Sequence, residues 1–580
     1  MRRVQNNRVL LVLLTITLVS FPLSIVFSGN IGDLSSDPFL ILKIVNPIFW
    51  FSIVVSVATI IFLLRLNGFS TKIDPYLLFC ALFPLYVDLT YRYVVALPLS
   101  RELYHAAGIF YVLKHGNVYF PGFLQPETVA PRILGATFAM ITSTNPLTII
   151  SYMPSFFYPF LFSLCTYTVA RKLQISKPMT MLATVYATSA SFYLMGMDRA
   201  TYCMPLYVLT AVPVLRMIGH NRSSSDAIVF LLLSFSLALS DMEFLMLAPT
   251  LALIPLMCYI VRITKTGKGG GLEISNLFVN SAILTFTIFV GWNLFTNPIT
   301  GVAFTHYPHI IFERFIQSLS GELSQPSFAA GYNPDFALFS RIRGYLIAIG
   351  LSLSLILLLY FFIGRLLHKN HQANTLNTGH LSVVLAYYIP TTLLAIYGYR
   401  RTATAWIPIL TIYILMSLTR HGSKRNVPSK ALRICTISFI ILIVLLSPAI
   451  TWVTSSTYVS VREAKELAYL GQALPIRTGA YMFNFGHMDC GLKYIFSDRV
   501  DSYVVDSFHQ PYEILNEWKI ENVVRYHVIA IGSIKHLEAI YNINATRYID
   551  AIIEMANNES LNIIYDSGYP YYIFYNAKER

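Results

Sequence analysis

The residues best suited to proton transfer and to anion binding begin at position 100, in the stretch Ser100-Arg101-Glu102-Leu103-Tyr104-His105. Glu102 and His105 are three residues apart, so on a helix they share one face. A carboxylate in this position can accept a proton, while an imidazole or the Arg101 guanidinium can contact an anion. The alternative is a surface helix in which Glu102 only favours the helix N-terminus, by about 0.3 to 1 kcal/mol.

Two very short turns between apolar runs carry further carboxylates. Asp198 precedes Arg199 in the first turn, and the second turn reads Ser240-Asp241-Met242-Glu243. Carboxylate oxygens are the ligands that hard divalent cations such as Mg²⁺ or Mn²⁺ prefer, so Asp241 and Glu243 are candidate metal ligands. The alternatives are a local ion pair at a helix end for Asp198 and a solvated turn for Asp241 and Glu243.

A pair of cations follows another apolar run, in Tyr397-Gly398-Tyr399-Arg400-Arg401. Forked guanidinium donors match the geometry of a phosphate or pyrophosphate group. The alternative for Arg400 and Arg401 is anchoring to anionic lipid headgroups. Either interpretation places an anion beside this pair.

The element that carries Glu102 is predicted to be a helix from Ser100 to His115. Ser100 is a favourable N-cap, Lys114 and His115 favour the last turn, and Gly116 suits the position just after the helix. Apolar residues within this helix can face lipid or protein. We therefore expect a short helix that lies at a membrane surface.

Composition indicates that the elements around these residues lie in lipid. Of the 580 residues, 55% are hydrophobic and 12% are charged, about half of the charged share in soluble domains. The net charge of +13 is uneven: 11 basic and 15 acidic residues follow position 454, and 31 basic and 14 acidic residues precede it. Because the basic residues lie in loops between apolar runs, they predict orientation in a membrane and argue against a nucleic-acid-binding protein.

Thirteen apolar runs approach the length of roughly 17 to 25 residues that a helix needs to cross a bilayer. They lie near residues 9–27, 42–64, 76–97, 146–170, 178–197, 202–218, 227–239, 244–261, 277–295, 345–363, 381–397, 402–418 and 434–453. With the N-terminus in the cytoplasm, cytoplasmic segments hold 20 Lys and Arg, and external loops before the tail hold 9. The positive-inside rule favours this orientation. It predicts a multi-pass protein of the cell membrane whose external loops include 98–133 and 296–343.

The tail after position 453 is predicted to be a separate extracytoplasmic domain. Short β-like runs alternate with helical stretches, which is typical of an α/β domain. The β-like runs are Ala480 to Phe485, Ser502 to Asp506, Val523 to Ile531, Leu561 to Tyr565 and Tyr569 to Tyr575. The predicted organisation is thus a transmembrane domain over 1–453 and a soluble α/β domain over 454–580.

This order of parts resembles the GT-C superfamily of membrane glycosyltransferases, which use polyprenyl-phosphate-linked sugars. The resemblance rests on Arg101-Glu102-Leu103-Tyr104-His105 in a first external loop, Gly196-Met197-Asp198-Arg199 in a second, a body of many spans and an external C-terminal domain. It extends over nearly the whole chain, with the first two spans as an addition. It implies an α-helical polytopic fold of about 13 transmembrane helices with an extracytoplasmic α/β domain.

The resemblance also implies roles for residues. Glu102 matches the first-loop catalytic carboxylate, and Asp198 matches the second-loop acid. His105, Arg101, Arg400 and Arg401 would then contact the phosphate of a lipid-linked sugar donor. The family often has paired acids in the first loop, whereas this chain has Arg101-Glu102. The WWD signature of oligosaccharyltransferases is absent, which favours the transfer of a single hexosyl or pentosyl unit.

Two other classes of protein remain open from the sequence. A transporter or flippase of lipid-linked intermediates would need polar residues near the membrane midplane and repeated, broken spans. A noncatalytic scaffold with a GT-C-like fold would bind a partner through its tail. Consumption of a lipid-linked donor separates the enzyme from both.

Overall fold

The structure is a computed structural model of the chain. It describes residues 2–27, 46–65, 76–83, 97–116, 129–146, 148–149, 158–190, 199–218, 224–239, 247–266, 272–296 and 375–396, single helical positions between 345 and 356 and between 438 and 442, and the strands 458–459, 478–483, 500–506, 528–531, 561–566 and 572–576.

The described helices follow the apolar runs of the sequence. They are α1 (Arg2–Val26), α2 (Pro47–Arg65), α3 (Ser100–His115), α4 (Val129–Thr142), α5 (Tyr158–Lys172), α6 (Lys177–Ala190), α7 (Arg199–Leu209), α8 (Ala211–Ile218), α9 (Ser224–Ala238), α10 (Leu247–Thr266), α11 (Leu272–Thr296) and α12 (Thr375–Ile396).

Helices α1, α2 and α5 to α12 pack around a shared apolar core, and α3 packs on α4. Helix α1 packs on α2, α5 on α6 and α7, and α10 on α11 and α12. Helix α8 contacts α9 and α12, which links the later helices to the earlier ones. Tyr207 and Tyr387 are among the largest side chains that this core buries completely. Other apolar side chains of these helices are exposed, for example Leu232 on α9 and Ile283 on α11.

The predicted count of thirteen spans is not confirmed. Over the part of the chain that the structure describes, no helix combines the length and the apolarity that a membrane crossing requires.

The run 202–218, predicted as one span, is divided into α7 and α8 at Thr210. Pro213 has no backbone N–H to donate to the carbonyl of Leu209, so the regular helical ladder is interrupted here. The backbone N–H of Thr210 donates to Leu206 and Tyr207, at 3.0 and 3.2 Å. The interruption therefore follows from the position of one proline.

The C-terminal strands form a mixed five-stranded sheet in the order β4-β3-β5-β7-β6. Its strands are β3 (Thr478–Phe483), β4 (Val500–Asp506), β5 (Val528–Ile531), β6 (Leu561–Asp566) and β7 (Tyr572–Asn576). Strand β3 is parallel to β4 and β5, whereas β7 is antiparallel to β5 and β6. All five predicted β-like runs are thus strands, with shifted bounds. The helical stretches predicted between them lie outside the described residues, so the α/β class and the boundary at 453 stay predictions.

A separate antiparallel pair joins two distant parts of the chain. Strand β1 (Leu97–Leu99) pairs with β2 (Tyr458–Val459), with Leu97 opposite Val459 and Leu99 opposite Tyr458. Strand β1 ends at Leu99 and α3 begins at Ser100. Neither strand is predicted from the sequence, since Leu97 falls at the end of a predicted span and Tyr458 falls in none of the β-like runs of the predicted C-terminal domain.

Candidate functional site

Helix α3 carries three of the predicted site residues. Arg101, Glu102 and His105 lie in its first two turns, with Glu102 as its third residue. The helix ends as predicted: Lys114 and His115 form its last turn, and Gly116 has a φ of 63°, the left-handed conformation that glycine adopts without strain. The N–H of Gly116 donates to the carbonyl of Val112 at 2.9 Å. The predicted helix over this stretch is therefore confirmed.

The other predicted site residues lie outside the described residues. These are Asp198 in the second loop, Arg400 and Arg401 after α12, and the metal-ligand candidates Asp241 and Glu243. The predicted meeting of Glu102, Asp198 and the arginine pair in one pocket stays a prediction.

Arg132, in the first turn of α4, lies very close to the backbone of α3. A β-carbon placed on Gly108 would lie 2.6 Å from Nε and 2.7 Å from Cδ of Arg132. The Arg132 side chain therefore crosses the helix backbone where only a glycine leaves room. Arg132 is 2% exposed and is among the largest completely buried side chains.

A buried guanidinium is costly to desolvate, and its cost is offset only by acceptors of good geometry. Its own helix cannot supply them at this position, because the first turn of a helix presents N–H donors and the positive end of the helix dipole. A phosphate meets the forked donors of an arginine with two parallel hydrogen bonds. The arrangement thus buries a cation against the helix that carries Glu102.

Sequence reasoning gave Arg132 no role beyond marking the end of the first external loop. A usable signal exists in the sequence Val129-Ala130-Pro131-Arg132, which opens an otherwise apolar helix with a single charge. The charge is positive at a helix end that disfavours cations. An unfavourable residue held in such a place indicates a function or a specific partner.

Helix α3 passes from the interior to the surface along its length. Gly108 and Ile109 are buried, whereas the last residues, from Leu113 to Gly116, are exposed. The rings of Tyr111 and His115 lie 4.5 Å apart at an angle of 37°. The helix is thus anchored at its middle and open to its surroundings at its C-terminal end.

A second charged contact lies between α8 and α9. Arg216 Nη1 donates to Asp226 Oδ1 at 2.8 Å, with Asp226 buried and Arg216 half exposed. Arg216 is in the last turn of α8 and Asp226 in the first turn of α9, where each charge favours its helix dipole. This pair has a sufficient structural explanation.

Neutral hydroxyl groups link the helices deeper in the bundle. The Tyr207 hydroxyl lies 2.9 Å from Thr250 Oγ1, and the Tyr387 hydroxyl lies 2.8 Å from Thr210 Oγ1. The rings of Tyr207 and Tyr387 are 5.3 Å apart. These contacts join α7, α10 and α12 without any charge, which suits packing rather than catalysis.

No metal site is found in the described part of the chain, where no three His, Cys, Asp or Glu residues lie close enough to hold an ion. The one carboxylate among the described buried polar side chains, Asp226, is paired with Arg216.

No family model matches this chain, and no curated protein matches it by sequence. Several solved structures show a distant similarity to it. An oligosaccharyltransferase of Archaeoglobus fulgidus in complex with Zn and sulfate has 11% identity and a TM-score of 0.45, over 77% of this chain and 67% of its own. The oligosaccharyltransferase AglB of the same organism, with an inhibitory peptide and a dolichol-phosphate, has 12% identity and a TM-score of 0.49, over 80% and 70%.

ArnT from Cupriavidus metallidurans bound to undecaprenyl phosphate has 8% identity and a TM-score of 0.47, over 88% of this chain and 99% of its own. AglB and ArnT are both GT-C fold glycosyltransferases. With TM-scores below 0.5, this likeness is too distant to assign an activity or a site residue.

Proposed function

We propose that this chain is a membrane glycosyltransferase that moves one sugar from a polyprenyl-phosphate-linked donor to an acceptor hydroxyl on the external face of the cell membrane, with inversion at the sugar. The single observation that carries the proposal is the buried Arg132 guanidinium against Gly108 of the helix that bears Glu102. A base and a phosphate-binding cation are the two groups that such a transfer requires.

In this mechanism Glu102 acts as the general base. Its carboxylate takes the proton of the acceptor hydroxyl as the hydroxyl oxygen forms a bond to C1 of the sugar. The bond between C1 and the phosphate oxygen breaks, and the lipid phosphate leaves with the electron pair. Asp198 supplies the second carboxylate of the site. The step is balanced, because the acceptor proton goes to Glu102 and the lipid phosphate departs as the sugar is transferred.

The leaving phosphate gains negative charge, which fixed cations stabilise. Arg132 is positioned beside α3 for this purpose, and Arg400, Arg401, Arg101 and His105 are the further phosphate contacts that we propose. The donor is a polyisoprenyl phosphate of the class that includes dolichol and undecaprenyl phosphate. Its tail lies in hydrocarbon and its sugar lies in water, so the site belongs at the membrane boundary.

The pairing of β1 with β2 supports the proposed topology. It brings the chain just before α3 next to the chain just before the C-terminal sheet. Both segments are predicted to be external, so the proposed orientation requires them to lie on one side of the membrane. The exposed apolar side chains of α9 and α11 fit a surface in contact with lipid.

The test is turnover of polyprenyl-phosphate sugars that carry a radiolabelled hexose or pentose, by the full chain in its own membranes. We expect release of unglycosylated polyprenyl phosphate, and we expect Glu102→Gln to abolish it without loss of folded protein. Glu273→Gln is the matched control, since Glu273 also lies in the first turn of a helix, α11. Undiminished turnover in Glu102→Gln would remove Glu102 from the mechanism.

The same assay separates the two other classes of protein. A flippase moves the labelled lipid across vesicle membranes unchanged, and a scaffold neither moves nor consumes it. Either result with the wild-type chain would contradict the proposed transfer.

A further inference from the structure

The start of helix α3 is fixed by a strand from a remote part of the chain. Strand β1 ends one residue before α3 begins, and its partner β2 follows about 360 residues later. Antiparallel pairing holds opposite Cα atoms about 4.5 to 5.5 Å apart. Because no linker separates β1 from α3, the position of β1 sets the position of the first helical turn.

Helix α3 has a second fixed point at Gly108, where the Arg132 side chain crosses its backbone. Glu102 lies between the two. At about 1.5 Å per residue, Glu102 is roughly 4.5 Å from Leu99 along the chain and roughly 9 Å from Gly108. The first turn of α3 adjoins β1 directly, so a displacement of β1 moves this turn more than the part of the helix that packs on Arg132.

We propose that β2 is the positioning strand for Glu102: by pairing with β1, Tyr458 and Val459 hold the first turn of α3 where its carboxylate can take the acceptor proton. This inference rests on the proposed function for the role of Glu102, and it adds a residue pair outside the first external loop to the machinery. Tyr458 and Val459 are positioning residues, since they act through the backbone of α3.

The experiment compares Val459→Pro with Val459→Thr in the full chain. Proline removes a backbone donor and disfavours a strand ladder, whereas threonine keeps the β-branched shape and the backbone. We expect Val459→Pro to lower kcat about 10- to 100-fold with little change in the donor KM, because a displacement of about 1 Å in a reacting group costs about that much. Val459→Thr should keep the wild-type rate.

The second measurement is amide hydrogen exchange over residues 100–116, which does not depend on activity. Exchange in α3 should rise in Val459→Pro and stay at the wild-type level in Val459→Thr, while α5 and α6 stay protected in both. Unchanged exchange in α3 of a folded Val459→Pro protein overturns the proposal. Raised exchange in α3 of Val459→Pro, together with no sugar transfer by the wild-type chain, supports the positioning of α3 and overturns the proposed function instead.

A cross-link covers the case in which Val459→Pro does not fold. Leu97 and Val459 are opposite each other, so the double variant Leu97→Cys/Val459→Cys should form a disulfide, within the usual Cα separation of 4.4 to 6.8 Å. A proteolytic fragment joined through positions 97 and 459, with wild-type kcat in the oxidised form, is the expected result. Absence of the cross-link, or loss of activity on oxidation that reduction restores, overturns the proposal.

Discussion

The pair of helices α1 and α2 and the pair α3 and α4 are held together by different chemistry. Between α1 and α2, Thr17 Oγ1 lies 3.3 Å from Thr59 Oγ1, and the rings of Phe21 and Phe49 meet edge to face at 6.1 Å. Between α3 and α4, a whole arginine side chain is buried against a glycine. The first contact is neutral and the second is charged.

The hydroxyl groups of the first pair are satisfied by nearby backbone. Ser24 donates to Phe21 O at 2.6 Å, Ser52 to Phe49 O at 2.7 Å, and Ser56 to the carbonyl of Ala81. The Arg132 guanidinium lies at the N-terminal turn of α4, where its own helix offers donors and no acceptors. The comparison shows that neutral contacts join α1 to α2, whereas the contact of α3 with α4 is built around a buried charge.

The largest expected effect is on Arg132. We expect Arg132→Met to lower sugar transfer about 100-fold, the size of effect seen when one donor to a developing negative charge is removed. Methionine keeps the apolar volume, and replacement of a buried ion by an apolar residue is often neutral for stability. Transfer assays and thermal unfolding of the purified chain measure both quantities.

Arg171→Met is the control for this change, because Arg171 is exposed in the last turn of α5. It should keep the wild-type rate. A purely structural role for Arg132 would appear as a large loss of stability with normal turnover in the protein that remains folded.

Gly108→Ala should have an intermediate effect, a loss of stability. The direction of this change can be compared with that of Gly291→Ala at a second helical glycine. The new β-carbon collides with the Arg132 side chain, which costs about 1 to 3 kcal/mol of stability and moves the guanidinium. Gly291→Ala meets no atom within 4 Å, so helix propensity should raise its stability by up to about 1 kcal/mol. Equal unfolding midpoints for the two variants would show that Gly108 is not tightly packed.

The smallest effect is expected between α1 and α2. Thr17→Val with Thr59→Val removes one hydroxyl contact, and such contacts between membrane helices contribute about 0.6 kcal/mol on average. A double-mutant cycle in thermal unfolding measures this coupling. Sugar transfer should not change, and a large loss of turnover would mean that this helix pair also shapes the site.

Local signals in the sequence were enough to predict α3 and the five strands of the C-terminal sheet. The end of α3 depends on Gly116 and on two cations in the last turn, all within one helical turn of each other. The strands depend on runs of β-branched and aromatic residues. Both signals act over a few residues, so they do not need the tertiary structure.

Non-local contacts were not predicted. Strands β1 and β2 have three and two residues, too few to show an alternating pattern, and they become strands only by pairing with each other. Arg132 stands out because it is buried and because it lies against Gly108. Both features depend on the tertiary structure, so they cannot be read from the sequence. The division at Thr210 was missed because apolar content was counted without regard to Pro213.

The pairing of β1 with β2 also orders the maturation of the protein during synthesis. Chains emerge from the ribosome N-terminal end first, so every helix up to α12 is made before the partner of β1 exists. A nascent chain that ends at α12 carries Glu102 on a helix whose preceding strand, β1, has not yet paired with β2. On the proposed function, competence for sugar transfer is thus delayed until Tyr458 and Val459 have been translated and have paired with β1.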